Sequence, residues 1–192
     1  MYETTPFTIP ELVGISQQNI DEHLKLYAGY VKNTNAILGA MDGEDTPPYA
    51  LAEMQRRFGF EYNGMKNHEY YFGSLEGGHT QINEESALAQ KINEQWDSFD
   101  AWLDRFKTIA KKRGVGWAIL YYDRDNDRLL NTWVDEQHLG HLNSAQYIVG
   151  IDMWEHAFVA DYQPSGKGQY IEDYFKNINW SHAENLFENA RT

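Results

Sequence analysis

The chain has 192 residues, 42% of them apolar and 15% aromatic, enough to bury the core of one large domain or two small ones closely joined. Its formal net charge of −13 argues against nucleic acid as a partner and against electrostatic attachment to an anionic membrane. With no cysteine, disulfides, thiolate zinc sites, iron–sulfur clusters and cysteine nucleophiles are excluded. The opening Met-Tyr-Glu-Thr-Thr-Pro lacks the basic start and apolar run of a signal peptide. No stretch of about 18 consecutive apolar residues occurs either, so the expectation is a soluble cytoplasmic protein.

Pro6, Pro10 and Gly14 mark residues 1–14 as an extended arm, and Ser16 can cap the helix that follows. In that helix Ile20, His23, Tyr27, Tyr30, Val31, Thr34 and Leu38 keep the three-and-four spacing of one face. Gly43 to Pro48 reads as a loop. A second helix is predicted from near Tyr49 to Phe72, interrupted around Gly64, with His68, Tyr71 and Phe72 on one face. Run antiparallel, the two helices bring His23 and His68 together. Gly73 to Thr80 is the predicted boundary between a helical hairpin domain over 1–80 and an α+β domain over 81–192. Its Gly77-Gly78 pair is a linker rather than a phosphate loop, because no Gly-Lys-Ser/Thr follows and no strand precedes it.

The second half reads as a helix over Glu84 to Gln95 and another from Ser98, striped by Phe99, Trp102, Leu103, Phe106, Ile109 and Ala110. Lys111-Lys112-Arg113 complements the dipole of the latter before Gly114 stops it. Residues 115–123 are strand-like, the turn Arg124-Asp125-Asn126-Asp127 leads to a second strand through Leu129 to Val134, and Gln146 to Ile151 forms a third. A helix is expected around Tyr170 to Phe175, and Ser181-His182-Ala183-Glu184 reads as the capping box of the last one. The predicted class is α+β: an N-terminal helical hairpin and a C-terminal α/β domain with a small three-stranded antiparallel sheet.

Chemistry concentrates in Asp152-Met153-Trp154-Glu155-His156-Ala157-Phe158. Asp152 and His156 are spaced so that two donors from one segment can converge on a single metal ion. His23 and His68, on aromatic-flanked helical stripes, complete a set of three imidazoles and one carboxylate between the two halves. His79, His141 and His182 read as surface residues, His138 and His141 as parts of an exposed loop.

The same seven residues fit the pattern D-x-W-E-H-A-[YF] at every fixed position. Asn67-His68, Gly116-Trp117, Asn177-Ile178-Asn179-Trp180 and Ile15-Ser16 add further matches. On these residues the chain, from Ile15 onward, resembles the iron/manganese superoxide dismutase family. The resemblance implies dismutation of superoxide to dioxygen and hydrogen peroxide by one redox-cycling manganese or iron ion per subunit. It implies His23, His68, Asp152 and His156 as ligands, with a water or hydroxide as the fifth. It further implies Gln137 as the hydrogen-bond partner of that solvent, with His138 the alternative one register away, and Tyr30 as a gateway tyrosine. Trp117 and Trp154 become walls of the pocket, and Glu155 reaches the His156 of the partner subunit in a homodimer. Gly64, Gln137 and Gly150 lean towards manganese.

The first helix departs from the family's H-H-x-K-H-H-x-x-Y-V by one missing residue. Reading forward from Ile15-Ser16 selects His23 as the ligand, and reading back from Tyr30-Val31 selects Glu22; the forward reading is preferred, the deletion being absorbed by removal of a helical bulge. Leu26 or Tyr27 stands where the family has a gateway histidine, with Tyr27 as the candidate substitute, and Val159 replaces a second aromatic. Lys25 and Lys167 are the candidate cations for drawing in an anion. Two other functions remain open at this point: a mononuclear iron oxygenase using two His and one carboxylate, and a non-catalytic structural subunit of the same fold.

Overall fold

The computed structural model describes residues 1–43 and 46–192. Two long helices open the fold, α1 (Gln17–Met41) and α2 (Pro48–Gly73). Ser16 caps α1, its hydroxyl accepting the Asn19 N–H at 3.1 Å, a contact worth about 1 kcal/mol. The buried stripe of α1 is Asn19, Ile20, His23, Tyr27, Val31 and Thr34, and the helix is continuous, so the shortened segment is accommodated without a bulge. Pro48 belongs to α2 rather than to the loop, since a first-turn residue has no intrahelical N–H bond to lose. Residues 44 and 45 of that loop lie outside the described residues. α2 also runs unbroken through Gly64, against the expected interruption. One glycine costs a helix only about 1 kcal/mol, and the buried face of α2 (Phe60, Met65, His68, Tyr71, Phe72) outweighs it.

Beyond them lie α3 (Ala87–Trp96) and α4 (Phe99–Ala110), each opened by a serine, Ser86 and Ser98, whose side chain accepts an N–H in the first turn. Ser86 therefore moves the start of α3 past the predicted Glu84. The basic triplet lies just beyond the end of α4, where Lys111 is the cap. The sheet comprises β1 (Gly116–Asp123), β2 (Arg128–Asp135) and β3 (Gln146–Asp152), antiparallel throughout in the order β2-β1-β3. Central β1 is buried along almost its whole length, which explains its unbroken apolar run. The register sets Trp117 between Val134 on one side and Asp152 on the other. A short 3-10 turn, Glu155–Ala157, follows β3.

Helices α5 (Lys167–Asn177) and α6 (Trp180–Arg191) close the chain. The cap of α6 is Asn179, not Ser181. Asn179 is already held by Thr80 Oγ1 and the Glu76 carbonyl, both at 2.9 Å, while Glu184, half of the expected capping box, accepts the Asn83 N–H instead. Trp102, Phe106, Phe175 and Trp180 pack as one aromatic cluster between α4, α5 and α6. A fully buried ring such as Trp102 contributes about 3–5 kcal/mol.

Candidate metal centre

Antiparallel α1 and α2 place His23, near the start of one, against His68, near the end of the other, with ring centroids 4.9 Å apart. The last residue of β3 adds Asp152, and the 3-10 turn adds His156 one step later. One donor atom from each of the four falls within 4.8 Å of the rest. Asp152 Oδ2 is 3.1 Å from His23 Nε2, 3.1 Å from His156 Nε2 and 3.5 Å from His68 Nε2. Its Oδ1 is occupied, accepting the Trp154 N–H at 2.8 Å. Two ligand atoms each about 2.1 Å from one ion sit roughly 3.0 Å apart at a right angle and about 3.6 Å at 120°.

His68 supplies a sharper test of fit. Its Nδ1 is 2.6 Å from the Gly64 carbonyl, which only accepts, so Nδ1 carries the proton and Nε2 presents a lone pair to the carboxylate. Burial first, then the neighbouring His23, pull the His68 imidazole down to about 3, so it is neutral. The 3.5 Å approach is therefore not an ion pair, and His68 Nε2 has no hydrogen-bond partner. Two electron-rich atoms face each other in a dry pocket, an arrangement that fits a cation between them. Burial also lowers His23. It opposes charge on Asp152 too, but His156 and His23 outweigh it and hold that carboxyl below its usual range.

Around these donors runs a hydrogen-bonded shell. Gln137, fully buried in the turn after β2, accepts the Trp117 Nε1–H at 2.8 Å and donates to Tyr30 Oη at 3.0 Å. Its main-chain oxygen accepts from Asn67 Nδ2 at 3.1 Å and meets His141 Nε2 at 3.0 Å. The structure thus brings Gln137 to the site and leaves His138 outside, edge-on to Phe60. Trp117 stands edge-on to His68 at 5.2 Å, and Trp154 stacks on His156 at 5.8 Å. Burial and the Asp152 charge raise the Tyr30 hydroxyl well above the usual phenol range. Gly64 is required here: a Cβ would lie 2.5 Å from Tyr30 Cδ1. A Cβ at Gly150 would collide with the Tyr147 hydroxyl.

An opening of about 330 Å³ reaches His156 and Tyr30 from solvent, lined also by Lys25, Leu26, Arg57, Phe60 and Trp154. Leu26, 43% exposed, holds the gateway position. Tyr27 does not substitute: it is buried, and its hydroxyl accepts the Thr5 N–H of the N-terminal arm at 2.9 Å. Lys167 is not at the opening, because its Nζ donates to the Lys112 carbonyl at 2.7 Å and lies over Trp133. Glu22 points outward and pairs with Lys25, leaving His23 as the inward residue. Glu155 is exposed with no ion pair among the described residues. His141 is not a surface residue, being lodged between Tyr121 and Gln137. Larger clefts of about 650 and 610 Å³ lie elsewhere, away from the four donors.

Two contributors escaped the sequence reading. Asn67 enters the sequence reading only as a motif match, and the structure adds its contact with the Gln137 carbonyl. Arg57 was missed, although it lies eleven residues before His68, about three helical turns along the same face. Its guanidinium sits 3.7 Å over the Phe60 ring and 2.7 Å from the buried Glu61 carboxylate.

A helical hairpin set against a small antiparallel sheet, with three imidazoles and one carboxylate gathered between, is the architecture of a mononuclear metal protein. Comparison with known proteins carries this further. Residues 84–186 match the family described as iron/manganese superoxide dismutases, C-terminal domain. The chain is 30% identical to a protein of Cupriavidus metallidurans named superoxide dismutase [Fe], over 99% of this chain and 98% of that one. It is 33% identical to the superoxide dismutase [Fe] of Aquifex pyrophilus, over 93% and 87%. It is 30% identical to superoxide dismutase [Mn] 2 of Haloferax volcanii, over 92% and 88%. The chain belongs to the iron/manganese superoxide dismutase family.

Proposed function

We propose that this chain dismutates superoxide at a single manganese or iron ion held by His23, His68, Asp152 and His156. The observation that carries the reading is the convergence of exactly these donor types, with an unpartnered His68 Nε2 facing a carboxylate. When bound, such an ion supplies one-electron chemistry in both directions, oxidising one superoxide to dioxygen and reducing another to peroxide, which two protons release as hydrogen peroxide.

The protein's own residues do the rest. The three imidazoles and one carboxylate neutralise only part of an ion's charge, which favours an incoming anion. Tyr30 Oη already accepts from Gln137, so its own O–H is free to turn into the opening, and its raised pKa keeps the proton in place. Trp117, Trp154 and Phe60 make the walls apolar, excluding bulk water and larger reductants. Gly64, Gln137 and Gly150 favour manganese of the two metals. A homodimer is supported by Leu26 at the opening and Val159 three residues after His156, 43% and 44% exposed, and by a free Glu155 adjacent to a partly exposed His156. No described helix is long and apolar enough to cross a membrane, and a cytoplasmic location accords with the acidic composition. The division at residues 80 and 81 is kept as a proposal, supported by the glycine pair at 77 and 78.

Metal analysis of the purified protein alongside a superoxide-decay assay tests the reading. About one manganese or iron per chain with rapid decay is expected; bound metal without dismutation would favour the structural-subunit alternative and sink this one.

Arg57 adds a separate expectation. In a chain of net charge −13 it places a cation at the opening, with its counter-charge on Glu61 behind. Arg57→Glu should slow the second-order reaction with superoxide roughly twofold to tenfold at low salt. The deficit should shrink as salt approaches 1 M, where the screening length is about 3 Å. A deficit unchanged by salt would mean that Arg57 acts through packing on Phe60 instead.

A further inference from the structure

Three of the eight buried side-chain atoms without a hydrogen-bond partner among the described residues sit on a single turn of α1: Asn19 Oδ1, Asn19 Nδ2 and His23 Nδ1. Both residues are enclosed, at 1% and 0% exposure. They are four apart, and side chains on a helix lean towards its N-terminus, so the His23 ring leans over Asn19. Elsewhere the ring of His23 is walled by aromatic rings, Tyr71 and Phe72 at 5.0 Å among them. His68 has its Nδ1 fixed by a helix carbonyl; His23 has no such bond.

From this geometry we propose that Asn19 is the positioning residue for His23. Its amide oxygen takes the His23 Nδ1–H through one bridging water, since neither atom has a direct partner, and so holds the tautomer whose Nε2 lone pair faces the metal. The inference rests on His23 being a ligand. With Nε2 directed at the Asp152 carboxylate side of the cluster, a neutral imidazole that binds metal through Nε2 must carry its proton on Nδ1. That proton needs an acceptor in a place closed to solvent, and the Asn19 amide is the polar side chain one turn away. An acceptor at this position also makes the imidazole a better donor, which favours the trivalent over the divalent ion and lowers the reduction potential.

The test compares Asn19→Leu, Asn19→Asp and His23→Ala with the parent protein. Metal affinity is read by chelator competition and the reduction potential by mediated titration. Asn19→Leu should bind metal about 10–100-fold more weakly and raise the potential. Asn19→Asp keeps an acceptor of the same size and adds negative charge, so it should lower the potential, which keeps the proposal testable if the leucine variant does not fold. Affinity lost in His23→Ala but untouched in Asn19→Leu, or a potential that does not move in Asn19→Asp, overturns the proposal alone. Affinity untouched in His23→Ala overturns the ligand assignment and the proposal with it.

Discussion

Replacing Asp152 with asparagine is expected to yield a folded protein that binds metal more than about 100-fold more weakly and no longer dismutates superoxide. The effect should exceed the 10–100-fold that loss of an outer hydrogen bond costs, because Asp152 is the only carboxylate in the cluster and faces all three imidazoles. Without metal the loss is smaller but keeps its sign. His156 and His23 hold the native carboxyl below its usual range, so near neutral pH its charge favours the folded state, and a neutral amide gives that contribution up. The metal-free variant should therefore melt at or slightly below the metal-free parent. The gain on adding metal is where the two part. At a free metal concentration 1,000 times the parent's Kd, binding stabilises the parent by about 4 kcal/mol, roughly 8–16 °C for a chain of this size. A 100-fold weaker site in the same solution gains only about 1.4 kcal/mol. Thermal melts with and without metal separate these terms, and an undiminished metal-dependent gain in the variant would show that Asp152 is not a ligand.

How much of this was legible in the sequence depends on how local each cause is. Asp152 and His156 were readable because one strand end and one turn present both, and the helix stripes carrying His23 and His68 were readable because burial follows the helical period. Strand limits held to within a residue or two, since each strand is bounded by turn residues. The errors arose where a distant partner decided the outcome. Asn179 rather than Ser181 caps α6 because Thr80 and Glu76, about a hundred residues earlier, hold its side chain. The break expected at Gly64 does not occur because the buried face of α2 outweighs the cost of one glycine, and the glycine itself answers to the distant Tyr30 ring, which fills the space a side chain would take. Lys167, a candidate cation by sequence, starts α5, and there its Nζ reaches the Lys112 carbonyl and lies over Trp133. Arg57 is the opposite case. Its position on the His68 face follows from helical spacing, but an arginine on an amphipathic helix looks like ordinary solvated surface until the opening beside it is seen.

The second large effect should come from Gln137→Leu, and here metal and activity should separate. Leucine nearly preserves the volume but removes both polar ends of a buried bridge, leaving the Trp117 Nε1–H and the Tyr30 oxygen without their partner. A buried donor stranded in this way costs about 1–3 kcal/mol. The variant should therefore melt a few degrees lower, roughly 2–12 °C. None of the four donor residues bonds to the Gln137 side chain, so metal content should stay near that of the parent. Activity per bound metal should nevertheless fall about 10–100-fold, the range for loss of an outer hydrogen bond at a metal site. If Gln137 acts through Tyr30, the two substitutions must not add. Tyr30→Phe alone should lower activity, and the double variant should be little worse than Gln137→Leu, because the hydroxyl that phenylalanine removes has already lost the amide that orients it. Additive losses would separate the two roles and leave Tyr30 working from the opening alone.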